Sequence, residues 1–324
     1  MTNWTKQVTA QTRLIIDQIA SMRVRMSEIG VVSDGSLEPY YQMLERLFDN
    51  DLQLARLRDN SDLLLRAEGE AFDNDPRIQV VSSVFNTVSD QVTDLTKAIL
   101  GVRVDGKVTN KSVDLGLSGI ARGSLYFGLR AHSPESALPL LGDADSLFDS
   151  TKRALKIIDD VAHTVQYDDE HVSMEKLSEI VTDPRIRDAA LLAVQRIAPS
   201  GRRGIDTISV SGSESSPAKL NPNHRKAIRS SLDRPVLKGE EIEFQGAVRE
   251  IDLDAHRFDL RGIANEQVRD VRCAYRAVEG LNPRRLLGAT IRARGLIERA
   301  ADGIPRLMSV LSLEIIREAP EHLG

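Results

Sequence analysis

The sequence predicts an α+β protein. An N-terminal part of helices packed on a small antiparallel sheet is followed by a C-terminal five-stranded barrel. Three observations carry this. Before residue 200, apolar residues mostly recur every three to four positions, the period of a helix face. Between Val236 and Ile316 they recur at every second position, the period of a half-buried strand. Between the two stretches lies Ser211-Gly212-Ser213-Glu214-Ser215-Ser216-Pro217, the sharpest change of composition in the chain. The expected organisation is an α+β domain over 1–210, including a β-hairpin over 112–130. A linker and short basic helix over 211–235 and a barrel over 236–318 follow.

Composition bounds the function classes. A chain of 324 residues is more than one average domain. Its 41% hydrophobic and 28% charged content excludes global disorder, and 4% aromatic content makes the core mostly aliphatic. A net charge of −5 leaves no general basic field to draw nucleic acid or anionic lipid. Arginine outnumbers lysine 33 to 10, which a GC-rich bacterial genome produces without any phosphate-binding role. With one cysteine, Cys273, no intramolecular disulfide forms, and a reducing compartment is the default. Met1 to Lys6 shows no basic segment leading into an apolar run, and no apolar run reaches the roughly 20 residues that span a bilayer. A cytoplasmic location, with no membrane contact, is the expectation by elimination.

Ile15, Ile19, Met22, Met26 and Ile29 are spaced 4, 3, 4 and 3 residues apart, and Val8 and Thr12 extend the same seam backwards. Pairing with another helix of the fold is the plain reading, and self-association through this helix is the alternative. Ser36 and Pro39 open a second helix, with Leu37, Tyr41, Leu44, Phe48 and Leu52 along it. Leu63 to Leu65 follow in a highly charged context. Asp75-Pro76 and Asp183-Pro184 each supply a cap and a first-turn proline to a helix. Val81, Phe85, Val88, Val92, Leu95 and Ile99 make the apolar stripe of the first. Ile186, Ala190, Ala193 and Ile197 make that of the second.

Val113 to Ser118 and Ser124 to Leu129 alternate as two antiparallel strands. Gly116 and Gly128 lie on the opposite faces of these strands, where a helix or another backbone can approach closely. Leu147 to Val165 and Met174 to Val181 are helical, and Ile205 to Val210 is a further strand. The turn Pro199-Ser200-Gly201-Arg202-Arg203-Gly204 is a candidate anion loop through Arg202 and Arg203, although it follows a helix rather than opening one.

The barrel region divides into strands at Glu241–Val248, around Phe258 and Leu260, around Val271, Cys273 and Tyr275, at Ile291–Ile297, and at Leu307–Ile316. Gly246 relaxes the first strand, and Asn282 to Gly288 form a helical break between the third and fourth. Asp302-Gly303 is a hairpin turn between the last two. Cys273 falls on an inward phase and reads as a small buried hydrophobe. This order resembles an OB-fold, an OB-like five-stranded β-barrel, over the last quarter of the chain.

That resemblance implies single-stranded nucleic acid or oligosaccharide as ligand. Arg257, Arg261, Arg272, Arg292 and Arg294, with Tyr275 as a stacking ring, form the candidate surface for it. From Asp233 onward, however, 15 basic residues face 16 acidic ones, as cross-strand ion pairs would require without any ligand. No Walker A loop, G-x-G-x-x-G after a strand, H-E-x-x-H, C-x-x-C or G-x-S-x-G elbow is present. No catalytic residue, metal ligand or cofactor is therefore assigned.

The expected function is a non-enzymatic binding or regulatory protein acting through protein–protein contacts, an adaptor or antitoxin-like subunit. Single-stranded nucleic-acid binding through the barrel is the alternative. A hydrolase built on dispersed acids such as Asp114, Asp143, Asp159 and Glu170 is the second.

Overall fold

The computed structural model describes residues 3–30, 34–72, 76–101, 113, 115–121, 124–132, 143–167, 172–232, 240–253, 256–263, 268–275, 278, 282–299, 303 and 305–318. The chain forms two compact units. One comprises Met1–His163 with Arg196–Pro222, and the other Thr164–Gln195 with Asn223–Gly324. The crossings fall inside helices Asp143–Val165 (α5 below) and Pro184–Ile197 (α7), and at the start of helix Pro222–Ser231 (α8).

In the first unit, α1 (Trp4–Ile29) packs its seam within the chain. Ile15 and Ile19 meet Leu37 and Leu47, with Val8, Met22, Met26, Tyr40, Tyr41 and Leu44 around them. α2 (Glu38–Arg46) and α3 (Leu52–Asp59) are joined by one π-helical turn, Leu47–Asp51. The seam behind the self-association expectation is thus occupied by the chain's own α2 region.

A five-stranded sheet follows, in the order β2-β3-β1-β4-β5. Its strands are β1 (Leu63–Glu68), β2 (Leu115–Ala121), β3 (Leu125–Ala131), β4 (Thr207–Ser211) and β5 (Ala218–Leu220). The predicted hairpin is β2–β3. The leucines at 63 to 65 start the central strand, which continues no helix: Asn60 ends α3, and the chain enters the sheet three residues later. One sheet face is apolar. Leu63, Leu65, Ala67, Phe127, Ile208 and Val210 are buried there. Phe127 meets Phe85 of α4 (Ile78–Ile99) edge-on, with ring centres 4.6 Å apart.

Gly128 faces the other way, towards Ser61, whose hydroxyl lies 2.5 Å from that of Ser118. A side chain at 128 would overlap both hydroxyls. The Ser/Gly/Pro stretch at 212–217 is the loop from β4 to β5. Four groups hold it. Arg58 Nε and Nη2 donate to the carbonyls of Ser213 and Ser215 at 2.9 and 2.5 Å, and Trp4 Nε1 donates to Ser213 at 3.1 Å. Asp159 of α5 accepts from the Ser215 hydroxyl at 2.9 Å, and His163 Nε2 lies 2.6 Å from the Ser216 carbonyl.

The second unit contains α6 (Met174–Ile180), most of α7, α8 and a closed barrel. Asp183 caps α7 as its sequence predicts, accepting from the Arg185 amide at 2.7 Å. The barrel strands are β6 (Glu241–Asp252), β7 (Arg257–Arg261), β8 (Asp270–Ala274), β9 (Thr290–Arg299) and β10 (Pro305–Arg317). They close in the order β10-β8-β7-β6-β9, with β9 returning to β10, which is the OB-like connectivity. The β8–β10 pair is parallel and the others antiparallel.

Gly246 shows how the long first strand works. Residues 241–247 pair with β9 and 247–252 with β7, so β6 leaves one neighbour for the other immediately after its glycine. A Cβ at Gly246 would stand 2.8 Å from the Arg261 carbonyl oxygen. The predicted break between the third and fourth strands is a single 3₁₀ turn, Pro283–Arg285, with Leu286 buried just after it. Among the described residues, no helix is long and apolar enough to cross a membrane.

Candidate functional site

The barrel wall places the predicted arginines outward, because their neighbours in sequence fill the interior: Phe258, Leu260, Val271, Cys273, Ile291 and Ala293 are all buried. Each of these arginines meets a carboxylate. Arg257 lies 3.2 Å from Asp252, Arg261 3.8 Å from Glu250, and Arg272 3.3 Å from Asp259. Arg292 is shared between Glu243 at 3.3 Å and Glu314 at 3.0 Å, and Arg294 meets Glu241 at 2.6 Å. Tyr275 is 4% exposed and lies near-parallel to Phe258 inside the barrel. It therefore presents no face on which a base could stack. Cys273 is fully buried, and that burial pushes its thiol far above the ordinary range, which makes it a core residue and no nucleophile.

The barrel's last strand is longer than its partners need. β10 pairs with β8 only at Leu307, Met308 and Ser309, whereas its ladder with β9 runs on to Arg317. Beyond residue 309 its outer edge has no partner strand among the described residues. Leu311 and Ile316 stand 46% and 43% exposed on this stretch, while Leu313 and Ile315 lean into the barrel.

No family model, curated protein or solved structure matches this chain.

Arg203, in the left-handed region at φ 66°, lines an open concavity with Arg77, Glu70 and Ser83, and Arg202 is not part of that lining. The loop is fixed by the Gly204 carbonyl, which accepts from the Ala71 amide at 3.0 Å. Two cations there share the space with a carboxylate. Of the dispersed acids, Asp159 is committed to Ser215 and His163. Asp114, the Asp143 side chain and Glu170 lie outside the described residues. Among the described residues, no three or more His, Cys, Asp or Glu side chains converge to hold a metal ion.

The concavity with the most convergent chemistry belongs to residues that sequence reading did not single out. It lies on the polar face of the first unit's sheet, has a volume of about 310 Å³, and is lined by Leu54, Leu64, Arg66, Ser124, Tyr126, Ser209, Ser211, Pro217 and Lys219. One rung of the sheet supplies its floor: Tyr126, Arg66, Ser209 and Lys219 stand side by side on β3, β1, β4 and β5. Arg66 is oriented by donating from Nε to the Ser124 hydroxyl at 2.9 Å and by Glu68 at 2.8 Å. The other Glu68 oxygen accepts from Thr207 at 3.1 Å. Burial raises the Tyr126 phenol above its ordinary range against the pull of Arg58 and Arg66, so it stands as a neutral donor. The signal was present in the phases: Arg66 and Glu68, Ser124 and Tyr126, and Thr207, Ser209 and Ser211 each alternate with buried apolar residues.

Proposed function

We propose that the protein is a non-enzymatic binding or regulatory subunit acting through protein–protein contacts, an adaptor or antitoxin-like part of a bacterial system, with the β10 edge as its contact strand. The observation that carries this is the stretch of β10 beyond residue 309, which has no partner on its outer side among the described residues and bears Leu311 and Ile316. An extended segment of a partner adds there as one more strand. Backbone hydrogen bonds supply affinity, and the two half-exposed apolar side chains select what lies beside them. Single-strand binding has less support. Each of Arg257, Arg261, Arg272, Arg292 and Arg294 already has a carboxylate, which a phosphate would have to displace.

Site-specific photo-crosslinking in cells tests the reading. A photoreactive residue at Leu311 or Ile316 of the full chain is expected to give one discrete protein adduct. The same residue at Ile78, 82% exposed in the first unit, should not give it. Adducts no different from those at Ile78 would overturn the assignment of this edge.

A further inference from the structure

We propose that the polar face of the first unit's sheet binds a small organic oxyanion, a carboxylate or phosphate head on an apolar body, between Arg66 and Lys219. Three observations converge. First, the cavity holds cationic capacity that the fold does not use. The Lys219 ammonium has no ion pair among the described residues, and Arg66 keeps Nη1 free after Nε and Nη2 are engaged. Glu68 has one oxygen on Arg66 and the other on Thr207, and the cavity lining itself holds Arg66 and Lys219 and no carboxylate.

Second, Ser209 and Ser211 place two hydroxyls on one wall of the cavity. Each hydroxyl can donate to, and accept from, a ligand's polar head. Third, the remaining walls are apolar. Leu54 comes from α3, Leu64 from β1 and Pro217 from the β4–β5 loop. Arg58, stacked 3.9 Å above the Trp4 ring, holds the loop by two of its carbonyls, so the Pro217 wall stands ready before any ligand arrives. A cavity of about 310 Å³ is at the small end of ligand sites and suits a single compact molecule. A neutral molecule of the same shape would leave the Lys219 charge uncompensated, so charge is the selecting feature.

The test is a titration of the full chain, followed by backbone amide NMR, with benzoate, phenyl phosphate and neutral benzamide. Benzoate or phenyl phosphate is expected to give saturable shifts centred on Arg66, Tyr126, Ser209 and Lys219, and which of the two binds tighter identifies the head. Benzamide is expected to bind about tenfold more weakly, and Lys219→Met, an exposed substitution that leaves the sheet intact, to weaken the better anion by a similar factor. The proposal is overturned by shifts that never saturate or that centre elsewhere. Benzamide binding as well as the anions, or unchanged anion affinity in Lys219→Met, would also overturn it.

Discussion

Asp59 shows how much one side chain can organise. It ends α3, yet its two carboxylate oxygens each accept a hydrogen bond from the start of α1, from the Trp4 and Thr5 amides at 2.9 Å. It therefore caps a helix 54 residues away in the chain. Burial pushes its pKa up, but the hydrogen bonds from Thr5 and Trp4, aided by Arg58, together outweigh that and hold it below the ordinary carboxylate value of 3.8. A depressed carboxyl stabilises the fold fully above its unfolded value and loses that contribution as pH falls through the folded one. Acidification below about pH 3.8 should thus release the head of α1, with the fluorescence of Trp4, the chain's single tryptophan, as reporter. Asp59→Ala should shift the neutral-pH unfolding midpoint down by a loss of about 1 kcal/mol and remove the acid-dependent step below pH 3.8. A variant that keeps that step would show that another group carries it.

At the scale of elements, the ion pairs of the second unit are of two kinds. On the barrel surface, Arg272 and Asp259 are 49% and 23% exposed. Such a pair contributes less than about 1 kcal/mol. Where α7 meets the barrel, Arg187 and Glu298 are 1% and 6% exposed, 2.6 Å apart. Arg306 bridges Glu298, at 2.6 Å, to Asp188. Removing one member leaves a charge buried without its counterion, at a cost of about 3–5 kcal/mol. Glu298→Gln should therefore lower the denaturant midpoint far more than Arg272→Ala, and equal effects would contradict this account.

The same contrast marks what the sequence made legible. Barrel order, hairpin and helix stripes follow from local period and turn chemistry, as with Gly246, Asp183 and the seam from Ile15 to Met26. The central strand did not: Leu63-Leu64-Leu65 is as compatible with a helix as with a strand, and only pairing with residues 125–129 and 207–211 decides it. Arg187 was equally opaque, because its partner lies 111 residues away. The cavity was hidden for the same reason. Its rung is assembled from strands whose order no local signal reveals.

Over the whole molecule, the units are not consecutive in sequence. Residues 164–195 belong with the barrel, and residues 196–222 return to the first unit's sheet. A fragment cut at the expected barrel bounds, 236–318, would carry Glu298 and Arg306 without Arg187 and Asp188. It is expected to be markedly less stable than the same barrel in the full chain, as read by cooperative unfolding in denaturant. A fragment matching the barrel's stability in the full chain would show that α7 contributes nothing.

The interleaving also bears on how the protein is made. β1 leaves the ribosome well before β4, its neighbour on one side, and roughly 140 residues separate the two; at about 5–20 residues per second, translation needs on the order of ten to thirty seconds to supply it. Throughout that interval three consecutive leucines sit on a strand with a bare flank. The nascent chain at this stage is the natural client for a chaperone, and slowing translation between codons 70 and 200 would lengthen that exposure.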